Sequence, residues 1–351
     1  MRTLSTVLSC LALSACGGLP LQAAAPVGEP LVAGVETSQE PRDGLFRVEE
    51  SVEGASVPAA TFAEVTEVTP APSHRPAARR QGATGGAEEP KPWEQRFIDP
   101  VSAPLTFETP VHHTGFTGVF LHHRFPETSF FKGGHLTGGA LQLRWAVTER
   151  FSIIAVKDGR FALKPGQGQD ATGWADVGGG IKYAVIDDKE DGFLMSLGLT
   201  YEATNGDSKI FQGNGAGLWR PFVTAGVEGE DVNVLASVAA SVPVSRDRES
   251  TSFDWHLQFT PADAEEFVPL LEINGIYYYR AGRALPVNFE GVDYANLGSS
   301  KVQGNNLITA AAGMRWRVAK HSDLGIAFER PVTNRKDIFR DRITVDWVRR
   351  F

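Results

Sequence analysis

The chain has 351 residues, with 42 acidic against 34 basic side chains, a net charge of −8 at pH 7 and only two cysteines. An acidic balance of this size argues against a nucleic-acid partner, which requires a basic face. Mean hydropathy is −0.17, and no run of about 18 apolar residues occurs after the N-terminus, which excludes spanning helices. Spanning strands remain open, because their alternation keeps average hydropathy near that of water-soluble proteins.

Both cysteines, Cys10 and Cys16, fall within the opening MRTLSTVLSCLALSACGG. One early arginine, a short apolar stretch and then small residues read as an export signal over residues 1–25. The LSAC tetrad before Gly17 resembles the lipobox of bacterial lipoproteins, which would make Cys16 the lipidated first residue. Ordinary cleavage near Ala23–Ala25 is the alternative. On either path the exported body carries no thiol, so redox and thiolate chemistry are excluded from it.

Residues 26–95 are rich in Pro, Ala, Gly and Glu and show no sustained period. Such a segment buries too little apolar surface to offset its ordering entropy, so it is expected to be a disordered linker on the periplasmic side. One short ordered piece is expected near PAATFAEVTEV, and Arg75, Arg79 and Arg80 are expected to be solvated. Residues 96–112 read as an extended lead-in segment.

From residue 113 to 351 the pattern turns to period 2. Phe253, Trp255, Leu257 and Phe259 alternate with Asp254, His256 and Gln258, and LTGGALQLRWAV and GFLMSLGLTYE alternate in the same way. Residues so spaced stand on opposite faces of a sheet. About a dozen such segments can be drawn, at 115–124, 136–147, 150–157, 174–185, 192–203, 217–228, 231–243, 251–260, 267–280, 305–319, 323–330 and 341–351. Most run about ten residues, the length a tilted strand needs to cross a bilayer. Short charged turns (TER, DDKED, EGED, PADAEE, KHSD) alternate with longer loops near 125–135, 158–173, 204–216, 244–250, 281–304 and 331–340.

This layout predicts an all-β fold, a transmembrane antiparallel up-and-down barrel of about 12 strands in the cell outer membrane. Closure is required because an unpaired strand edge in lipid leaves N–H and C=O groups unsatisfied. The rival is a water-soluble sandwich with its apolar faces turned inward. Against it stand aromatic residues near strand ends, among them Trp145, Tyr201, Trp219, Tyr279, Trp316 and Trp347, which resemble interfacial girdles.

The chain closes on RITVDWVRRF. Ile343, Val345 and Trp347 share a face before the terminal Phe351, which resembles the signal read by the outer-membrane insertion machinery; Arg349 stands where an apolar residue belongs. The stretches GWADVGGGIKYAVID and GFLMSLGLTYEATNGD resemble proteobacterial barrels of the family of transporters linked to a phenol-degradation meta-pathway, distant relatives of fatty-acid uptake channels. The matching residues are Gly173, Asp176, Lys182, Tyr183, Asn205, Gly206 and Asp207. The resemblance implies passage of small hydrophobic or aromatic solutes.

With aromatic faces toward lipid, the lumen receives Arg144, Asp176, Lys182, Glu202, Arg220, Asp254, His256, Glu272, Arg315, Arg317 and Glu329, accompanied by Gln142, Asn233, Gln258, Asn274 and Asp346. These either pair and fill the bore or line a polar path for a small-molecule solute. Arg315 and Arg317 are the first candidates for an anionic contact, through the bidentate fork of guanidinium. No cofactor is expected. A metal site from His122, His123, His135 and Glu127 is disfavoured because His122 and His123 alternate in facing. A lipid hydrolase built on His256 lacks an evident serine partner. Passive solute passage is therefore the expected function, with a plugged structural or envelope-interaction barrel as the alternative.

Overall fold

The computed structural model describes residues 91–351. The expected export signal, Cys16, the PAATFAEVTEV piece and Arg75, Arg79 and Arg80 lie outside the described residues. Residues 91–95, which composition assigned to the linker, instead open an ordered segment containing one helical turn, α1 (Trp93–Arg96).

The described residues beyond it form fourteen strand segments: β1 (Gly115–Arg124), β2 (Gly134–Ala146), β3 (Phe151–Lys157), β4 (Arg160–Pro165), β5 (Ala171–Trp174), β6 (Val177–Asp188), β7 (Phe193–Ala203), β8 (Leu218–Val227), β9 (Val232–Pro243), β10 (Thr251–Pro261), β11 (Phe267–Arg280), β12 (Asn306–Ala319), β13 (Ser322–Pro331) and β14 (Asp341–Arg350). All pair antiparallel with their neighbours, and β1 pairs with both β2 and β14, the latter in register from Gly115↔Arg350 to Arg124↔Asp341. The β1–β14 ladder closes the sheet into a barrel and leaves no edge for lipid to meet.

β2 pairs along one half with β3 and along the other with β4; β3 in turn pairs with β6, and β4 with β5. β3 and β4 are thus two parts of one barrel strand, kinked at Asp158–Gly159, and β5 and β6 are two parts of another. The fourteen segments make twelve barrel strands. Gly159 sits at φ +122°, and a Cβ there would stand 2.5 Å from the Gly139 carbonyl oxygen, so the kink requires glycine. This corrects the long loop expected over 158–173, most of which is hairpin.

The two faces separate by chemistry. On β10, Phe253 is 42% exposed while Asp254, His256 and Gln258 are 2%, 1% and 1% exposed. Leu141, Leu143, Trp145, Leu197, Leu199, Met314, Trp316, Ile343 and Trp347 likewise face outward. This is the apolar-out, polar-in order of a transmembrane barrel rather than a sandwich core. Phe116 bridges the closing seam, edge-on to Trp347 at 5.2 Å and near Phe351 at 6.2 Å.

Candidate functional site

The lumen is occupied by the chain's own lead-in. α1 lies at the short-turn end, where Trp93 Nε1 donates to Asp187 Oδ1 at 2.7 Å and Arg96 pairs with Glu228. From Phe97 the chain runs into the barrel, turns back at Ala103–Phe107, and returns to start β1 at Gly115. Backbone N–H groups of Thr106 and Phe107 donate to the Ala103 carbonyl (3.0 and 2.9 Å), and Ala103 adopts φ 49°. A left-handed alanine is uncommon, and here the tight reversal imposes it. Phe97, Val101, Phe107 and Val111 are buried.

The expected lumen residues mostly grip this lead-in. Lys182 Nζ donates to Glu108 Oε1 (2.9 Å) and to the carbonyls of Thr109 (2.7 Å) and Val111 (2.8 Å). Arg144 takes the same carboxylate, Nη2 to Oε2 at 2.8 Å. Glu272 accepts the backbone N–H groups of Val101 (2.8 Å) and Ser102 (2.6 Å). Arg220 donates to the Thr106 carbonyl (2.8 Å) and forms a fork with Asp254. His256 stacks on Phe107 with ring centroids 5.0 Å apart. Charges buried this deeply are tolerated only when paired and hydrogen-bonded, and here the lead-in supplies the partners.

Arg315 and Arg317 correct a sequence expectation. Arg315 is fully buried, bidentate to Asp346 (2.9 and 2.7 Å) and within 3.3 Å of the Pro100 carbonyl. Arg317 donates to the Gln95 carbonyl at 3.0 Å. Both serve the lead-in end, and neither lines the open part of the lumen. Glu329 accepts from Asn274, Thr309 and Arg342 and is likewise saturated by its neighbours.

From the long-loop end the lumen is narrowed by the β11–β12 loop, which folds inward. Asp293 holds Arg342 at 2.8 Å, the Tyr294 hydroxyl donates to the Ile210 carbonyl at 2.8 Å, and the Tyr294 carbonyl accepts from Lys157 (3.2 Å) and Gln212 (2.8 Å). Glu290 sits in a nest of donors: Ser250 Oγ at 2.6 Å and the backbone N–H groups of Leu297 and Ser299, both at 2.8 Å. Burial raises its pKa, which those donors partly offset.

Between this loop and the lead-in lies a cavity of about 1000 Å³, counting its solvent-open mouth. Its floor is Leu105 and Thr106 at the tip of the lead-in. Of the expected residues, Asp176, Glu202, Arg220 and Asp254 line it. Sequence reasoning missed Lys157, Glu249, Tyr278, Glu290 and Asp293, which line it too, and Glu108, which anchors the lead-in. Burial pushes the Glu249 carboxyl up to about 7, with Glu202 and Asp176 adding to the effect.

The enzyme readings gain no support from this geometry. His122 is half-buried on the outer face, and His123 is buried inside, its Nε2 donating to the Ile338 carbonyl oxygen at 2.9 Å. Among the described residues no cluster of three or more His, Cys, Asp or Glu side chains is placed to hold a metal. His256 contacts Asn274 (2.8 Å) and Asp254 (3.0 Å), while Ser102 Oγ is reached by Asn274 Nδ2.

No protein family model and no curated protein sequence matches the chain. Among solved structures it is similar to the COG4313 outer membrane channel from Pseudomonas putida F1, at 12% identity and TM-score 0.50, covering 73% of this chain and 100% of that one. It is also similar to the NanC porin (10% identity, TM-score 0.44, covering 68% of this chain and 100% of that one) and to the KdgM porin (11%, 0.40, 67% and 99%). At this level of identity the likeness is one of fold, a closed antiparallel transmembrane barrel.

Proposed function

We propose that the protein is an outer-membrane channel for small solutes, gated by its own lead-in. The observation that carries this reading is the solvent-open cavity whose floor is Leu105 and Thr106 rather than barrel wall. What closes the route is a segment held by hydrogen bonds and ion pairs, and such contacts can be exchanged for water. In this reading the short-turn end and the N-terminal linker face the periplasm, and Trp347 and Phe351 engage the insertion machinery. Val156, Phe211, Leu218 and Ile276 in the lining suit a solute with an apolar or aromatic portion, as the family resemblance implies.

A second reading, a filled barrel with a structural or envelope-interaction role, is favoured by the dense pairing of Glu108, Lys182 and Arg144. Planar-bilayer recording separates the two. Replacing residues 97–111 by a Gly/Ser chain of equal length should convert a rarely conducting parent into one with large, persistent steps. A replaced variant that inserts but stays silent would leave the structural reading standing.

A further inference from the structure

The lipid face of the barrel carries a charged arc at its long-loop rim. β4, β2, β1 and β14 bring Lys164, His135, Arg124 and Asp341 to one level, through the pairs His135↔Lys164, Arg124↔His135 and Arg124↔Asp341. Arg330 on β13 falls at the same level, one step beyond the pair Glu329↔Arg342. Their chain neighbours Leu163, Leu136, His123, Arg342 and Glu329 are buried inside, so the row itself faces outward. Lys164, Arg124 and Arg330 are exposed, and so is Arg160, which stands lower on the same face opposite Gly139.

The arc is not neutralised by the protein. Asp341 is the one acid in the row, and it is already taken by Arg124 (Nη2 to Oδ2, 3.0 Å), with Arg340 at 3.6 Å on its other side. Among the described residues no acid or acceptor is placed against the side chains of Arg160, Lys164 or Arg330. Below the row the same strands present Ile343, Phe328 and Phe120, which are 40%, 43% and 48% exposed. Further round the rim, β7, β8, β10 and β11 carry uncharged rings instead, Tyr201 against Trp219 at 4.7 Å and Phe253 against Tyr279 at 5.8 Å. Such rings sit at headgroup depth in a spanning protein. At that depth Arg and Lys lay their stems along apolar surface and hold their charge at the polar boundary. The groups that meet them there belong to lipid headgroups, and a phosphate accepts charge-assisted hydrogen bonds from guanidinium and ammonium alike.

We propose that this arc binds the phosphate groups of an anionic, acylated outer-leaflet lipid, with Arg160, Lys164 and Arg330 as the free cations and Ile343, Phe328 and Phe120 as the seat for its acyl chains. The binding surface is independent of solute passage; its assignment to the outer leaflet rests on the orientation proposed for the barrel.

The test is native mass spectrometry of the full chain released from nonionic micelles that contain lipid A, its monophosphoryl form or phosphatidylcholine. The parent should retain lipid A best, the monophosphoryl form less and phosphatidylcholine least, and a large molar excess of inorganic phosphate should not displace the lipid. Combining Arg160→Gln, Lys164→Gln and Arg330→Gln should weaken lipid A retention by roughly fivefold for each cation removed and leave phosphatidylcholine unchanged. The charge-matched control, Arg150→Gln with Lys189→Gln and Lys320→Gln in the short turns, should behave as the parent. Equal retention of lipid A and phosphatidylcholine by the parent would overturn the proposal. So would a control that loses as much as the arc variant, or displacement by inorganic phosphate, which would mark a free-anion site. Should the arc variant fail to fold, the ranking of the three lipids on the parent decides alone. A barrel that selects lipid A but never conducts, even with its lead-in replaced, keeps this proposal and sinks the passage; conduction without lipid selection does the reverse.

Discussion

Lys182 Nζ lies 2.9 Å from Glu108 Oε1, joining a fully buried strand residue to the lead-in from within the barrel. Arg144, on β2 two barrel strands away, takes the other carboxylate oxygen. One lead-in carboxylate is therefore shared by two wall cations buried inside the barrel. The dependence is mutual: without Glu108 both wall cations lose their carboxylate partner, and without the wall the carboxylate belongs in solvent. Occupancy of the lumen is in this sense built into the barrel's own charge balance.

Glu108→Gln should therefore loosen the lead-in without dissolving the barrel. Removing one member of a buried ionic group typically costs about 3–5 kcal/mol, and here the loss falls on the docked state, because the cations regain water once the segment leaves. Planar-bilayer records should show the open fraction rising well above the parent's, while the heat-modifiable gel shift of the folded barrel persists. Records matching the parent's would mean that the carboxylate does not hold the segment.

On the lipid face, Trp255 is the direct cross-strand partner of Gly275, and a Cβ on Gly275 would stand 2.2 Å from the indole. The ring occupies the space that a side chain would fill, an aromatic covering a strand glycine. Gly275→Ala should lower stability by about 1–3 kcal/mol through overpacking, seen as a lower urea midpoint in refolding experiments. Gly118, on the same outer surface, has nothing within 4 Å of an added Cβ, so Gly118→Ala should stay within about 0.5 kcal/mol of the parent. Equal midpoints for the two variants would contradict the ring's placement.

The barrel was legible because one physical rule governs every spanning strand: Phe253 meets lipid and Asp254 meets the lumen, so burial repeats every second residue. The kink at Gly159 was not legible, since a glycine that bends a strand and a glycine that ends one look alike in a single chain. Nor did sequence show where the lead-in goes. Lys182 and Arg220 grip it largely through carbonyls of Thr109, Val111 and Thr106, which every residue possesses and no pattern betrays. One signal was available: Phe97, Val101, Leu105, Phe107 and Val111 make the segment far more apolar than the linker before it. Glu249 lies within RDRES, which reads as a solvated turn. Its burial arises only when the β7–β8 loop closes over it, with Gly215 against its carboxylate.

Acidification should steady that loop pair. Burial, reinforced by Glu202 on β7 and Asp176 at the β5–β6 kink, raises the Glu249 pKa from 4.5 to about 7, while the Ala216 N–H and Arg248 in its own loop act the other way. Between these two values the folded protein holds a proton that the unfolded chain has released. Folded loops thus bind more protons than unfolded ones, and stability must fall as pH rises across the window, being fully present below 4.5 and lost above about 7. Hydrogen-exchange protection of residues 244–250, corrected for the intrinsic pH dependence of exchange, should decline from about pH 5 to about pH 8 in the parent, the range that brackets this titration. Glu249→Gln, which cannot ionise, should keep its protection across that range. A parental slope surviving in the Gln variant would mean that Glu249 is not its source, and a flat parent would mean that the carboxyl is hydrated rather than buried.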